Sequence, residues 1–210
     1  MIFNSEMLSN LRASVKARLS AKRYEHTIGV EAMASRLGRI LMPDKIYELR
    51  AAALLHDISK EIPYEEQVDL LSKSTVVYTD EDLSVKPALH SISAVPIIEK
   101  DFSEFATKDV LSAVANHTLG EGDMSIFDEI IFLSDYTEEG RTYPTCRQVR
   151  EYLLDNIREE NDLEENLFAL HSATLDAIEF TIESLRKRGE KIHRKTFVTK
   201  SYFQSIINKR

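Results

Sequence analysis

Residues 44–63, DKIYELRAAALLHDISKEIP, decide how this chain folds and where its chemistry lies. The apolar spacing predicts a helix whose inward face includes Ala52 and Ala53. His56 and Asp57 each follow one of these residues by four positions, so both side chains should point inward. Burying an imidazole beside a carboxylate costs several kcal/mol unless the two are paired, hydrogen-bonded or bound to a metal.

The rest of the chain also has the pattern of a helical protein. Apolar residues recur at three- and four-residue intervals, and only six glycines and five prolines interrupt them. We therefore predict an all-α fold, with Asp44 as the N-cap of the third helix and a loop at 74–85. The predicted helices span 5–19, 21–39, 44–58, 64–73, 87–99, 105–117, 125–136, 145–158, 163–188 and 196–208.

Size and charge limit the functions that this chain can have. Its 210 residues, 43% of them hydrophobic, are enough for a single domain over 1–210. The net charge of -8 repels nucleic acid and anionic membranes, and no stretch approaches 18 uncharged apolar residues. The single cysteine is typical of a reducing compartment. We expect a cytoplasmic protein that binds neither nucleic acid nor membrane.

Four of the six histidines lie near ends of predicted helices, and two aspartates accompany them. An isolated histidine–aspartate pair is often only a structural hydrogen-bonded pair, but the number of further candidates favours a metal site. Ligands without a thiolate suit iron, manganese, zinc or magnesium, and four imidazoles favour a transition metal. The candidate metal ligands are His26, His56, Asp57, His90, His117 and Asp135.

The number of candidate ligands predicts two divalent metal ions. A single ion that held all six would leave no position for water or substrate. We expect the metal to be iron, with manganese as the alternative. A hydroxide that bridges two such cations would be a nucleophile near neutral pH.

Five sequence blocks resemble a known family. The order of His26, His56, Asp57 and Asp135 resembles the pattern of the HD-domain superfamily of metal-dependent phosphohydrolases. More narrowly, the chain is similar to the symmetrical bis(5'-nucleosyl)-tetraphosphatases, the YqeK-like proteins. The blocks that carry this similarity are RYEHTIGV, AALLHDISKEIP, ALHSISA, ANHTLGEGDMS and IIFLSDYTEEGRTYP, between residues 23 and 144, and weaker similarity continues over 191–203.

The resemblance implies an HD-domain helical bundle that cuts diadenosine tetraphosphate, Ap4A, symmetrically into two ADP. It implies one metal held by His26, His56, Asp57 and Asp135, and a second held by His90 and His117, with Asp57 bridging the two. The metal-bridged hydroxide would then attack the phosphate. One departure concerns the loop after His117, where Leu119 and Glu121 replace the more usual threonine and basic residue.

Four residues near the candidate ligands are expected to contact the substrate. Lys60, one turn after the catalytic Asp57, would stabilise charge on the phosphate, and Arg23 and Arg141 would hold the more distant phosphates. Thr118 would donate to a phosphate. The alternative is that the three cations are ordinary surface charges and that Thr118 only caps its helix.

Two other functions stay open at this point. The first is an HD-type nucleotidase or cyclic nucleotide phosphodiesterase, and the second is a noncatalytic nucleotide sensor with a structural metal site. A small-molecule nucleotide is the expected partner in each case. The sequence leaves open the base preference, a homodimer, and whether the segment 74–85 closes over the substrate.

Overall fold

A computed structural model gives the structure of residues 3–209, and this part of the chain contains eleven α-helices, three short 3₁₀ turns and no strand. The prediction of an all-α fold is confirmed. The helices are α1 Ser5–Arg18, α2 Ala21–Leu41, α3 Ile46–Leu55, α4 Tyr64–Ser72, α5 Asp80–Ser84, α6 Leu89–Asp101, α7 Lys108–Asn116, α8 Ile126–Thr137, α9 Pro144–Asn156, α10 Leu163–Lys187 and α11 Arg194–Ile207.

Helix α3 lies at the centre of the fold. Ala51, Ala52, Ala53, Leu54 and Leu55 are all buried, because this helix contacts α1, α2, α7 and α8 on its different sides. It ends at Leu55, three residues before the predicted end, so the residues at 56 and 57 lie in the turn that follows. Their side chains nevertheless point inward, and the central position of α3 places them in the interior of the bundle.

Two predictions about local structure are wrong. Asp44 does not cap α3, because Pro43 begins a 3₁₀ turn and the helix starts at Ile46 without a side-chain cap. The segment 74–85 is not a loop throughout, because it contains α5. That five-residue helix begins with a capping box, in which Thr79 and Asp82 bond each other's backbone N–H. None of the five residues of α5 is buried, so this helix has no apolar stripe that sequence periodicity could reveal.

Helix α10 is the long helix predicted over 163–188. Its apolar side contacts α8, α9 and α11, and a capping box between Asp162 and Glu165 begins it. It ends before Gly189, whose φ of 67° suits a residue without a side chain. Even this helix is too polar for a bilayer, and residues 3–209 hold no helix long and apolar enough to cross one.

Candidate metal centre

The six candidate ligands meet in the interior of the helical bundle. His56 and His117 immediately follow the last residues of α3 and α7, and Asp57 follows His56 in the same turn. The other three lie within α2, near the start of α6 and near the end of α8. Three groups of ligand atoms form, and within each group the atoms lie within 4.8 Å of one another. These groups are His26, His56 and Asp57; His56, His117 and Asp135; and Asp57, His90 and His117.

Asp57 lies in the middle of this cluster. Its Oδ1 is 3.1 Å from Nε2 of His90 and 3.7 Å from Nε2 of His117. Its Oδ2 is 3.4 Å from Nε2 of His56 and 3.7 Å from Nε2 of His26. Each oxygen of this carboxylate therefore faces a different pair of histidines.

The surroundings of Asp57 keep it ionised. Burial opposes the charge, but the contacts of Asp57 with His56, His117 and His90 hold its pKa well below its usual range. His90 is instead kept uncharged, because burial, assisted by the charge of Lys60, lowers its pKa to about 4. An ionised carboxylate and a neutral imidazole are the forms that bind a metal.

Backbone carbonyls fix the orientation of three imidazole rings. Nδ1 of His56, His90 and His117 lies 2.7, 2.9 and 2.7 Å from the carbonyl oxygen of the residue three positions earlier. A carbonyl oxygen can only accept, so Nδ1 carries the proton in each ring. The lone pair is therefore on Nε2, and Nε2 is the atom that points into the cluster.

His26 has a different partner, which sequence reasoning missed. Its Nδ1 lies 3.1 Å from Oε1 of Glu138, a buried carboxylate in the turn after α8, and its Nε2 lies 3.0 Å from Oδ1 of Asp135. Burial alone would lower the pKa of His26, but its contacts with Asp135 and Glu138 raise the pKa to about 9. The only sequence signal for Glu138 is its place in the block IIFLSDYTEEGRTYP, three residues after Asp135.

Two glycines make room for Glu138. A Cβ atom on Gly29 would lie 2.5 Å from Oε2 of Glu138, and one on Gly140 would lie 2.9 Å from both carboxylate oxygens. The backbone N–H of Gly140 also donates to Oε2 at 2.6 Å. The carboxylate is thereby held against His26 from the side away from the cluster.

The arrangement suits a metal ion chemically. Nε2 of His56 is buried and has no hydrogen-bond partner among residues 3–209. Buried polar atoms are almost always satisfied, so each such atom requires an explanation. Imidazole lone pairs that converge with two carboxylates are the donor set of a transition-metal site.

Two arginines pair with the two aspartates of the cluster. Nη1 of Arg23 donates to Oδ2 of Asp57 at 2.7 Å. Nη2 of Arg141 donates to Oδ1 of Asp135 at 2.6 Å, and its Nε donates to the backbone oxygen of Asp135. The sequence predicted both arginines as phosphate contacts, and the structure places each guanidinium directly beside a candidate metal ligand.

Lys60 and Thr118 contact the opposite side of the cluster. Nζ of Lys60 lies 3.2 Å from Nε2 of His90, and Oγ1 of Thr118 lies at the same distance from that nitrogen. Burial lowers the pKa of Lys60, although Asp57 and Asp135 oppose that shift. The four predicted substrate contacts thus all border the six candidate ligands.

A cleft of about 500 Å³ leads from the surface to the cluster. Its lining includes three of the candidate ligands, so a bound molecule can reach them. The predicted residues that line it are Asp57, His90 and Asp135, together with Arg23, Lys60, Thr118 and Arg141.

The remaining two histidines lie outside the cluster. Nδ1 of His171, on α10, lies 3.0 Å from Glu129, and His193 is the N-cap of α11, where its side chain accepts from the N–H of Lys195. Both therefore have roles in holding helices together.

Comparison with known proteins places the chain in a family. The model of the HD domain family matches residues 23–140, a segment that holds all six candidate ligands. The chain belongs to the HD domain family. Proteins of this family are metal-dependent, and the cluster described above is a set of residues that could hold the metal. The resemblance to the HD-domain superfamily is confirmed.

Named relatives cover nearly the whole chain. A protein of Halalkalibacterium halodurans is 28% identical over 200 residues, which are 93% of this chain and 95% of that protein. A protein of Bacillus subtilis is 27% identical over 194 residues, 92% of this chain and 95% of that protein. Both are named symmetrical bis(5'-nucleosyl)-tetraphosphatase.

A solved structure shares the fold. It is a predicted HD superfamily hydrolase involved in NAD metabolism from Clostridium acetobutylicum, with 25% sequence identity and a TM-score of 0.80. The match covers 98% of this chain and 100% of that one, so the HD-type helical bundle includes α10 and α11 beyond the family match.

Proposed function

We propose that this chain hydrolyses dinucleoside polyphosphates and cuts diadenosine tetraphosphate symmetrically into two ADP. The observation that carries the proposal is the set of four imidazoles and two carboxylates, four of these residues buried and two partly buried, which is open to a cleft and bordered by three cations. Such a cleft suits an anionic phosphate chain beside metals. The names of the relatives from Halalkalibacterium halodurans and Bacillus subtilis support this substrate.

The proposed enzyme holds two divalent metals, with iron as the first candidate and manganese as the second. In this proposal His26, His56, Asp57 and Asp135 would hold one ion, and His90 and His117, with Asp57 shared, would hold the other. The different histidine pairs faced by the two oxygens of Asp57 support this division. When bound, the metals would supply an activated water at neutral pH and polarise the phosphoryl oxygens.

The cations have separate roles in this proposal. Lys60, half-buried beside His90, offsets the negative charge that develops on the phosphate under attack. Arg23 and Arg141 each present five N–H donors, and the aspartates use only part of them. The remaining donors bind the outer phosphates of the chain, and Thr118 donates its hydroxyl.

We also propose that residues 1–210 form one domain and that the enzyme acts in the cytoplasm. The hydrophobic core supports a single domain, because one cluster of buried side chains includes residues from Phe3 to Phe203. The free, buried thiol of Cys146 supports a reducing compartment.

Product analysis tests the proposed reaction. Metal-stripped protein is resupplied with ferrous iron or manganese and given diadenosine tetraphosphate, beside an Asp57→Ala control. We expect ADP as the sole product, and loss of that product in the control. AMP plus ATP would keep a hydrolase but exclude a symmetrical cut, and turnover of mononucleotides alone would favour the HD-type nucleotidase. Nucleotide binding without turnover with either metal would favour the sensor.

The role of Lys60 has its own test. The Lys60→Ala variant should keep its metal but lose kcat/KM by roughly 100-fold, the scale of a lost electrostatic contact to a transition state. Lys73→Ala is the control, because Lys73 is exposed and pairs only with Asp69. A Lys60→Ala variant within about twofold of the parent would exclude this role.

A further inference from the structure

Two clefts meet at the metal centre and share one wall. Both are lined by Thr118, Asp135, Arg141 and Thr181. The first has a volume of about 500 Å³ and the second about 470 Å³. Since the two share a candidate ligand and a cation, a molecule with phosphate at the cluster can extend into either one.

Helix α10 forms part of the wall of both clefts. Leu185 lines the first cleft, Phe180 and Ser184 line the second, and Thr181 lines both. Residues four apart share one face of a helix, so Leu185 lies on the face of Thr181, whereas Phe180 and Ser184 lie on the neighbouring face. Beyond the shared Thr181, the clefts therefore extend along different faces of α10.

The second cleft has aromatic walls. Tyr136, Phe180 and Tyr143 line it, and Tyr143 is 69% exposed at the N-cap of α9. Nucleobases stack on aromatic side chains, and each such stack contributes substantially to binding. We call this space the aromatic cleft.

The first cleft has aliphatic walls held in place by polar contacts. Val85, Leu119 and Leu185 line it. Helix α5, beside Val85, is tied to the segment before α11, because Lys191 donates to Oγ of Ser84 at 2.6 Å. Nε2 of His193 and Oδ1 of Asp82 make a second contact between these two segments, at 3.2 Å. We call this space the aliphatic cleft, and its walls offer an apolar surface for the flat face of a base.

We propose that the two clefts are the two nucleoside subsites of a dinucleotide substrate. This inference rests on the proposed function, because a symmetrical cut needs one nucleoside on each side of the cluster. The aromatic cleft holds one adenosine and the aliphatic cleft holds the other. Arg141 lines both clefts, so it contacts phosphate on either side of the bond that breaks.

A third cleft beside His26 does not suit a base. It is lined mainly by charged side chains and backbone, including Lys22, Glu25 and Glu139, and Tyr143 is the only large apolar side chain among its described lining residues. Burying a base against unpaired charges is unfavourable. The nucleosides are therefore assigned to the aromatic and aliphatic clefts.

A tryptophan reporter tests occupancy of the aromatic cleft. The chain contains no tryptophan, so a Tyr143→Trp variant carries a single fluorophore that can still stack on a base. We expect ADP to quench its emission by a large fraction, and pyrophosphate, which lacks a base, to leave it nearly unchanged. Tyr47→Trp is the control, because Tyr47 is exposed and lines neither cleft.

Kinetics with two substrates test whether there are two subsites. Diadenosine tetraphosphate with water gives two ADP, whereas adenosine 5'-tetraphosphate with water gives ADP and pyrophosphate and needs only one nucleoside subsite. Tyr143→Ala should lower kcat/KM for the dinucleotide on the order of tenfold, the scale of a lost base stack. Leu185→Ala should also lower kcat/KM for the dinucleotide. Each variant should change kcat/KM for adenosine tetraphosphate by less than about threefold, since the nucleoside can occupy the other cleft.

The double variant and the controls complete the design. Tyr143→Ala combined with Leu185→Ala should lower kcat/KM for both substrates by roughly tenfold or more. Tyr47→Ala and Val77→Ala are matched controls, because both side chains are exposed and outside the clefts. Circular dichroism of each variant checks that the helices are intact.

The outcomes separate this inference from the proposed function. If the parent makes ADP from the dinucleotide but Tyr143→Ala and Leu185→Ala stay within twofold, the subsites are wrong and the hydrolysis stands. If ADP does not quench the Tyr143→Trp variant, the aromatic subsite is wrong. If ADP quenches that variant while the parent makes no ADP, the aromatic nucleoside site stands and the hydrolysis is wrong.

Discussion

The metal centre and a smaller cluster between α8 and α10 both bring histidine together with carboxylate inside this bundle. In the α8–α10 cluster a single imidazole, His171, contacts a single carboxylate, Glu129, through Nδ1 at 3.0 Å. Oγ1 of Thr174 donates to the same carboxylate at 2.9 Å. At the metal centre, four imidazoles and two carboxylates converge instead.

The difference lies in how each imidazole uses its two nitrogens. His171 uses Nδ1 for its carboxylate, Glu129. His56, His90 and His117 use Nδ1 for backbone carbonyls, and this leaves every Nε2 free to face the cluster. Buried histidine and aspartate or glutamate therefore do not define a ligand set by themselves. A ligand set is defined by the ring nitrogen that no other contact uses and by the direction in which that nitrogen points.

The largest expected effect comes from the same substitution in both clusters. His117→Gln removes a candidate ligand and should lower kcat/KM by roughly 10³-fold, with loss of bound metal. His171→Gln should leave kcat/KM and metal content within about twofold, because His171 contacts Glu129 and the ring of Phe203, both away from the metal centre. Steady-state kinetics and metal analysis of both variants check this. Equal losses of metal in the two variants would contradict the distinction between the clusters.

Sequence periodicity predicted the long helices and missed the short one. Each predicted helix has a counterpart, because an amphipathic helix repeats its apolar residues along its whole length. Helix α5 has five residues, none of them buried, and a capping box at Thr79 fixes its start. Asp44 was assigned as a cap from its residue type alone, and the 3₁₀ turn that begins at Pro43 took its place.

The candidate site was predictable to the extent that its residues belong to recognisable blocks. The six proposed ligands come together in the structure, although their assignment as ligands stays a prediction. Glu138 was missed because its contact with His26 joins residues 112 positions apart, and no local pattern reports it. The pairing of Arg23 with Asp57 was missed for the same reason, since the sequence indicated only a cation near the site.

Substitution of Glu138 has the next largest expected effect. It extends the comparison from the imidazoles to the carboxylates that orient them. Glu138→Ala should weaken metal affinity about 10- to 100-fold, because His26 loses the group that orients its ring. Glu138→Gln should recover part of this loss, because the amide oxygen still accepts from Nδ1. Competition for manganese with a fluorescent chelator measures both affinities.

The neighbouring residue supplies the control for this measurement. Glu139 is exposed, so Glu139→Ala removes the same charge from the same turn without touching His26. Its manganese affinity should stay within about twofold of the parent, since exposed charges interact weakly. If Glu138→Ala and Glu139→Ala weakened binding equally, the effect would come from net charge and not from the orientation of His26.

Gly29 allows a smaller test of the same contact. In Gly29→Ala the new methyl group would lie 2.5 Å from Oε2 of Glu138, so the carboxylate has to move away from His26. We expect metal affinity to fall several-fold, less than for Glu138→Ala. Stability should stay level or rise by up to about 1 kcal/mol, because alanine favours a helix over glycine. Manganese competition measures the affinity and urea unfolding measures the stability. An unchanged affinity would show that Glu138 can orient His26 even when residue 29 carries a side chain.

The smallest expected effect is a pH dependence of the α8–α10 cluster. Burial, the largest influence, raises the pKa of Glu129, although His171 opposes this shift. The folded protein then holds the proton of Glu129 more tightly than the unfolded chain does. This contribution to stability is complete below the ordinary pKa of a glutamate and is lost as pH rises through the folded pKa.

A comparison with Glu129→Gln isolates this titration. The glutamine side chain cannot ionise, so we compare the unfolding free energy of the metal-free parent with that of Glu129→Gln. The parent's value minus the variant's value should fall as pH rises from about 4.5 and then level off. Urea unfolding of both proteins across this range measures the difference, and groups that titrate equally in both cancel. A difference that rose with pH would mean that the folded state favours the carboxylate form. The α8–α10 cluster would then resemble Asp57, whose pKa is held low by the imidazoles around it.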